Sequence, residues 1–566
     1  MTEEERAKIV SQDYADLIIN YFNNPRILEQ IQNATVQVMN VGYAVAYIPV
    51  AQALVRGAQT YGFTSWPYLF GLTSEVALEA SGVTELRTYP DFNLRGQGVL
   101  VGIVDTGINY NLPVFMKADG TTKVLSLWDQ TIQNGPFPYD YGFGTEYTQE
   151  EINVALQAEN PLEVVPTTDT NGHGTMLAGI AVGTENDAAE FAGVAPDAEL
   201  IVVKLMEAKN YLRDFYGVPE GVVCYQENSI MWGVQYCLQV ARDLNRPIAI
   251  GLALGNSLDA HDGRSPLSNF LSVVADFQRV AIVTSIGNEG NRGRHFHGIV
   301  DPASGTSTVE MNVGEEDRSF TMVLWGDSPG IFSIDILSPS GEYIPRIPAG
   351  LHVSRQISFI FEETDISIDY QTVESFTGDQ LIMFRFHNTS SGIWRFTVYA
   401  QGDLASSFNI WLPMGDMIST DTYFIQPDIY TTVLSPGSSE VPITVTAYNA
   451  ISGTLYVNAS RGYTRANIIK PEFAAPGVNY AAPDLEGGYV NFTGTGVASA
   501  HTTGVAALML EWGAILGNQP TLSTIEIKKY LMRGARRSTT LVYPNRDWGY
   551  GVLDIYSAFN ALRINL

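Results

Sequence analysis

Four short stretches carry side chains that could stabilise charge or move protons. Val104-Asp105-Thr-Gly107 ends an apolar run with a carboxylate. Asn171-Gly-His173-Gly-Thr175 flanks an imidazole with glycines, which lets the backbone approach closely and leaves the ring in a cleft. A carboxylate aligned on an imidazole fixes its tautomer and stabilises the imidazolium. Ile286-Gly-Asn288-Glu-Gly290 supplies a side-chain amide that can donate to a developing oxyanion. Gly494-Thr-Gly496-Val-Ala-Ser-Ala-His501 opens a helix, whose free N–H groups can face the same oxyanion. Together these parts suit acyl-transfer chemistry at a carbonyl.

The elements that must hold them follow from the apolar pattern. Continuous apolar runs at residues 98–104, 200–205, 248–254 and 280–286 suit strands covered on both faces. Helical spacing at 230–244 and 267–277 lies between them, and further helices are predicted at 495–512 and 524–533. Strands alternating with helices give βαβ units and a mostly parallel sheet.

Two regions have another texture. Residues 1–80 read as a small α+β unit, with a helix over 15–22, a strand over 43–50 and a helix over 51–61. Residues 65–72 are aromatic, apolar and extended, suited to lying in a groove rather than in solvent. Short alternating runs at 320–324, 332–337, 357–361, 381–386, 394–399 and 408–412, separated by turn clusters, predict an inserted antiparallel sandwich or jelly roll. The expected domains are therefore 1–80, 81–305, 306–440 and 441–566.

Composition bounds the partners. The 566 residues are 45% hydrophobic and 16% charged, enough for a large core. A net charge of −28 argues against nucleic acid or an anionic membrane surface as the main partner. The two cysteines, Cys224 and Cys237, exclude a disulfide-stapled scaffold and read as buried hydrophobes. The His295-x-His297 pair is weak evidence for a metal, so no metal and no cofactor is expected. No basic and apolar leader opens the chain and no run of 18 apolar residues occurs, so cytoplasmic synthesis and no membrane span are expected.

The motifs, in the order Asp105, His173, Asn288 and the 494–501 helix, resemble the subtilisin family (subtilases). Gly193-Val-Ala-Pro196, Val203-Lys204, Ser460-Arg-Gly462 and Lys470-Pro-Glu-Phe-Ala-Ala-Pro-Gly477 extend the resemblance. So do Leu252, Ala253, Leu254 and Gly255, which match the family's substrate-lining strand. The resemblance implies an α/β fold with a parallel sheet flanked by helices, an N-terminal prodomain and a catalytic site at Asp105, His173, Asn288 and position 496. The layout, with its insert between Asn288 and residue 496, resembles the clostridial spore-germination proteases. That group includes pseudoproteases and acts on the precursor of a spore cortex hydrolase, so a spore-associated protein is implied.

One position departs from the family pattern. The run Gly494-Thr-Gly496-Val-Ala-Ser-Ala has glycine where the family has its serine nucleophile. Glycine cannot form an acyl-enzyme. Losing the serine of such a triad costs about 10⁶ in kcat and leaves roughly 10³–10⁴ over water. Ser499 and Thr495 are poor substitutes by position. A pseudoprotease is expected, acting by regulation or binding on a protein or peptide partner. Its own residues 65–75 should lie in the groove, uncut. The alternative is an active serine endopeptidase that processes a protein precursor, with Gly496 an engineered replacement of serine.

Overall fold

The structure is a computed structural model that describes residues 1–31, 34–39, 41–77, 94–351 and 353–563. The expected boundary at 80/81 lies outside the described residues.

The apolar runs form the centre of an eight-stranded sheet. Its order is Phe473–Pro476, Ile443–Tyr448, Val280–Ser285, Ile248–Leu252, Leu100–Asp105, Glu199–Lys204, Val124–Asp129 and Thr145–Thr148. Every pairing is parallel except the last, at the Thr145–Thr148 edge. Helices cover both faces, as continuous apolar strands require. Glu227–Asp243 and Pro266–Ala275 pack with Leu100, Ile250 and Ile282 on one side. His173–Val182 and Thr495–Leu510 pack with Val101, Ala249 and Val283 on the other. The small residues of these last two helices allow close approach: a Cβ on Gly174 would stand 2.2 Å from the Gly107 carbonyl oxygen.

The N-terminal unit departs from expectation at one element. Residues 15–22, predicted as a helix, lie in the strand Tyr14–Asn20 and the turn after it. Adjacent β-branched Ile18 and Ile19 favour strand, and the segment pairs along its whole length with Tyr43–Pro49. Left-handed Phe22 and Asn23 then end it. Thr35–Val38 completes this antiparallel sheet, and the helix Val50–Tyr61 follows as expected.

The inserted region is two antiparallel sheets over one core. Six strands lie in the order His295–Val300, Ser406–Trp411, Phe320–Gly326, Gln380–His387, Asp365–Gln371 and Val353–Ser358. Five lie in the order Tyr343–Ile347, Ile331–Leu337, Gly392–Gln401, Thr306–Val313 and Tyr423–Phe424. Phe332, Ile334, Phe384, Phe386, Trp394 and Phe396 fill the space between. The strand Asp365–Gln371 was not among the expected runs, although Ile366, Ile368 and Tyr370 alternate with polar residues; its Asp369 pairs with Arg385. The insert is pinned to the α/β unit by Trp411, stacked between His261 (4.1 Å) and His295 (4.9 Å). Arg465 adds ion pairs to Asp262, Asp327 and Asp379.

Candidate functional site

Asp105 ends its central strand fully buried, and its Oδ1 lies 2.8 Å from His173 Nδ1. The Thr106 N–H donates to the same oxygen. His173 begins its helix from Gly172, which at φ 94° uses the freedom a residue with a Cβ lacks. Asp169, missed by the sequence reading, shapes this loop. Its Oδ1 accepts from the N–H groups of Asn171 and Gly172, and its Oδ2 from the N–H and hydroxyl of Thr175. The available signal was a carboxylate placed to cap the glycine-flanked turn. With Nδ1 committed to Asp105, His173 Nε2 stays buried without a partner among the described residues.

Asn288 and Gly496 converge on one oxygen. Asn288 Oδ1 accepts from the Thr495 N–H at 3.1 Å and from its hydroxyl at 3.0 Å. That fixes the amide so that Nδ2 donates to the Thr73 carbonyl oxygen at 2.8 Å. The Gly496 N–H donates to the same carbonyl at 3.0 Å. Two donors on one carbonyl oxygen, one of them at a helix start, is the arrangement that stabilises an oxyanion. Thr495 thus orients the amide, while Ser499 points at the Leu252 carbonyl, 3.4 Å away.

The held carbonyl belongs to a segment threaded through the cleft. Leu69–Leu72 forms the middle strand of a three-stranded antiparallel sheet between Tyr225–Gln226 and Leu254–Gly255. Leu72 pairs with Leu254 and Gly71 with Gly255. The Ala253 carbonyl accepts from both the N–H (3.1 Å) and the hydroxyl (2.7 Å) of Thr73. The Thr73 hydroxyl also lies 2.9 Å from that of Ser285. Beyond Ser74 the chain runs on as Glu75–Ala77, antiparallel to Tyr489–Thr493. Leu252 ends the parallel strand beneath.

The opposite wall was not read from the sequence. Tyr225–Gln226 is too short to give a periodic signal, and Glu227 lies before the helix predicted over 230–244. Glu227 nevertheless clamps the segment: its carboxyl accepts from the N–H groups of Tyr68 and Leu267, and its own N–H donates to the Tyr68 carbonyl. Burial pushes its carboxyl up to about 8. Asn256 donates to the Leu69 carbonyl at 2.7 Å.

A second contact ties the N-terminal sheet down. Asp16, 1% exposed, meets Lys209 Nζ at 2.5 Å and accepts from Gln226 at 2.7 Å and Asn228 at 2.8 Å. The Tyr211 hydroxyl donates to the Asp16 carbonyl and accepts from its N–H.

Among the described residues, no group of three His, Cys, Asp or Glu side chains is placed to hold a metal ion. His295 is buried on Trp411 with Asn409 and Asp428 as partners, whereas His297 is exposed. Both cysteines are buried and unbridged. No described helix is long and apolar enough to cross a membrane.

Comparison with known proteins agrees with this geometry. The chain is 28% identical to the CspB protease of Clostridium perfringens in a structural match with a TM-score of 0.76, covering 85% of this chain and 96% of that one. It is 23% identical over 492 residues to the minor extracellular protease Vpr of Bacillus subtilis (strain 168), covering 83% of this chain and 52% of Vpr. Thermitase of Thermoactinomyces vulgaris is 24% identical over 264 residues, covering 46% of this chain and 69% of thermitase. The chain spans about half the length of Vpr and 62% of the intracellular serine protease of Paenibacillus polymyxa. The subtilase family profile matches residues 96–317 and 379–551, most of the length, and the chain belongs to the subtilase family.

Proposed function

We propose that this subtilase is a pseudoprotease of the spore-germination type, which binds or regulates and does not hydrolyse. One observation carries the reading. Residue 496 offers its N–H to the carbonyl at the centre of the cleft but has no side chain to attack it. Asp105 and His173 keep a base in place, and Asn288 keeps an oxyanion donor, with no alcohol between them. The resemblance to a CspB protease across nearly the whole of that chain supports the germination class.

In this reading residues 1–80 are a retained prodomain and residues 306–440, joined by the strand His295–Val300, an inserted jelly roll. The rest of 81–305, with 441–566, forms the subtilisin-like unit. The groove strand at 252–255 binds the chain's own segment as a peptide ligand, and an outside protein partner is engaged elsewhere or after that segment leaves. The order of the Asp105–His173 contact and the Asn288 amide favours a second reading, an active endopeptidase acting on a protein precursor. A fluorophosphonate probe and a peptide-turnover assay separate them. The pseudoprotease gives no labelling and no turnover above a His173→Ala control. His173-dependent labelling or turnover by the unaltered chain establishes the endopeptidase instead.

A further inference from the structure

The space at residue 496 is occupied from the other side. A Cβ built on Gly496 would stand 2.3 Å from Ser74 Oγ, 3.0 Å from Thr73 Oγ1 and 3.0 Å from the Ala253 Cβ. The Ser74 hydroxyl therefore sits where a side chain of residue 496 would begin. Both that hydroxyl and His173 Nε2 are buried without a partner among the described residues. His173 is itself 5% exposed, with its other nitrogen fixed on Asp105. A triad ring directs Nε2 toward the nucleophile's place, which the Ser74 hydroxyl approaches from the side of the segment.

We infer that Gly496 is a binding residue: the missing side chain makes a socket that receives the hydroxymethyl group of Ser74 and keeps the segment seated uncut. The inference rests on the pseudoprotease reading and names its ligand. The cleft takes an extended peptide with consecutive hydroxyl residues, of which Thr73-Ser74 is the resident example. The first hydroxyl is read by the Ala253 carbonyl and Ser285. The second enters the socket. Register is fixed between them, because Thr73 N–H and carbonyl are both bonded, to Ala253 and to Asn288 with Gly496. With the Ser74 hydroxyl in the socket a Cβ at 496 has no room, so any side chain there must first turn Ser74 out.

The test is hydrogen exchange on the full chain, read over residues 69–77 and at the Gly496 amide. Gly496 is not among the positive-φ glycines, and alanine is the better helix former there. Gly496→Ala should therefore leave the helix interior at 500–509 as protected as before, yet speed exchange over residues 69–77 about tenfold. Ser74→Gly in the same chain vacates the contested space and should return protection to within about threefold of a Ser74→Gly single variant. Exchange unaltered by Gly496→Ala overturns the socket, and so does a failure of Ser74→Gly to rescue. A general loss of protection across the helix assigns Gly496 to packing alone and also overturns it. Failure of the pseudoprotease reading is seen separately, as His173-dependent turnover, which this measurement does not involve.

Discussion

The Gly496 N–H donates to the Thr73 carbonyl oxygen at 3.0 Å, across the centre of the cleft. The Asn288 amide meets the same oxygen from the other side at 2.8 Å. The N-terminal segment is thus held by its backbone in the place of a peptide about to be attacked. In the proposed reading, what separates this cleft from a working one is the single residue that supplies the N–H and withholds the hydroxyl.

Restoring that hydroxyl should restore chemistry on the resident segment. Gly496→Ser is expected to cut its own chain between Thr73 and Ser74, after Ser74 swings out of the serine's way. Mass spectrometry would show two fragments, the larger beginning at Ser74. The unaltered chain should stay whole under the same conditions. An uncut Gly496→Ser protein would mean that the held carbonyl is out of reach of residue 496. A cut elsewhere would mean that the register is wrong.

Within that restored background the Asn288 amide becomes measurable. Asn288→Ala removes one of two donors to the Thr73 oxygen and should slow self-cutting by about 10²–10³. Thr495→Val, which leaves the amide in place but removes the hydroxyl that orients it, should cost less, about tenfold. Equal losses from the two substitutions would argue that Asn288 acts by packing. A His173→Ala chain should not cut itself.

The site and the sheet were legible for one reason: both are written in local sequence. Buried parallel strands are unbroken apolar runs, and the residues of the site sit at strand ends and helix starts flanked by glycine. Asp105, His173, Asn288 and Gly496 could each be found within a few residues of such a boundary. The extended segment at 65–72 was legible because it is too apolar to be exposed, whereas residues 252–255 were expected in the groove only from the resemblance to the family's substrate-lining strand. What stayed hidden depends on distant partners. Residues 15–22 have a helix-like apolar spacing until Tyr43–Pro49 pairs with them. Asp16 looks like a surface carboxylate until Lys209, Gln226 and Asn228 surround it. The wall Tyr225–Gln226 is a strand only because the segment Leu69–Leu72 lies against it.

Asp16 should matter more to docking of the N-terminal sheet than any surface charge. It and Lys209 are both almost wholly buried, so removing one partner leaves the other uncompensated. Asp16→Ala is expected to weaken the docking by about 3–5 kcal/mol. Hydrogen exchange in Tyr14–Asn20 and protease attack on residues 1–77 would report it. Adding Lys209→Met, which removes the stranded charge, should recover most of the loss. An Asp16→Ala chain with native protection in that strand would show that apolar packing alone docks the unit.

The last expectation concerns acid. His501 lies in the helix that carries Gly496, and its Nδ1 is 3.2 Å from the Tyr480 hydroxyl. Burial lowers its pKa from 6.5 to about 4, so the folded protein holds it neutral. The unfolded chain takes up a proton near pH 6.5, where the folded one does not. The stability from this group is complete above pH 6.5 and is lost as the pH falls toward 4. The loss attributable to it between pH 7 and pH 5 is about 2 kcal/mol. His501→Gln keeps an acceptor for Tyr480 and cannot titrate. Urea unfolding of both proteins at the two pH values should show the variant losing about that much less. Parallel pH dependences would mean that His501 is charged, or reaches water, in the folded state.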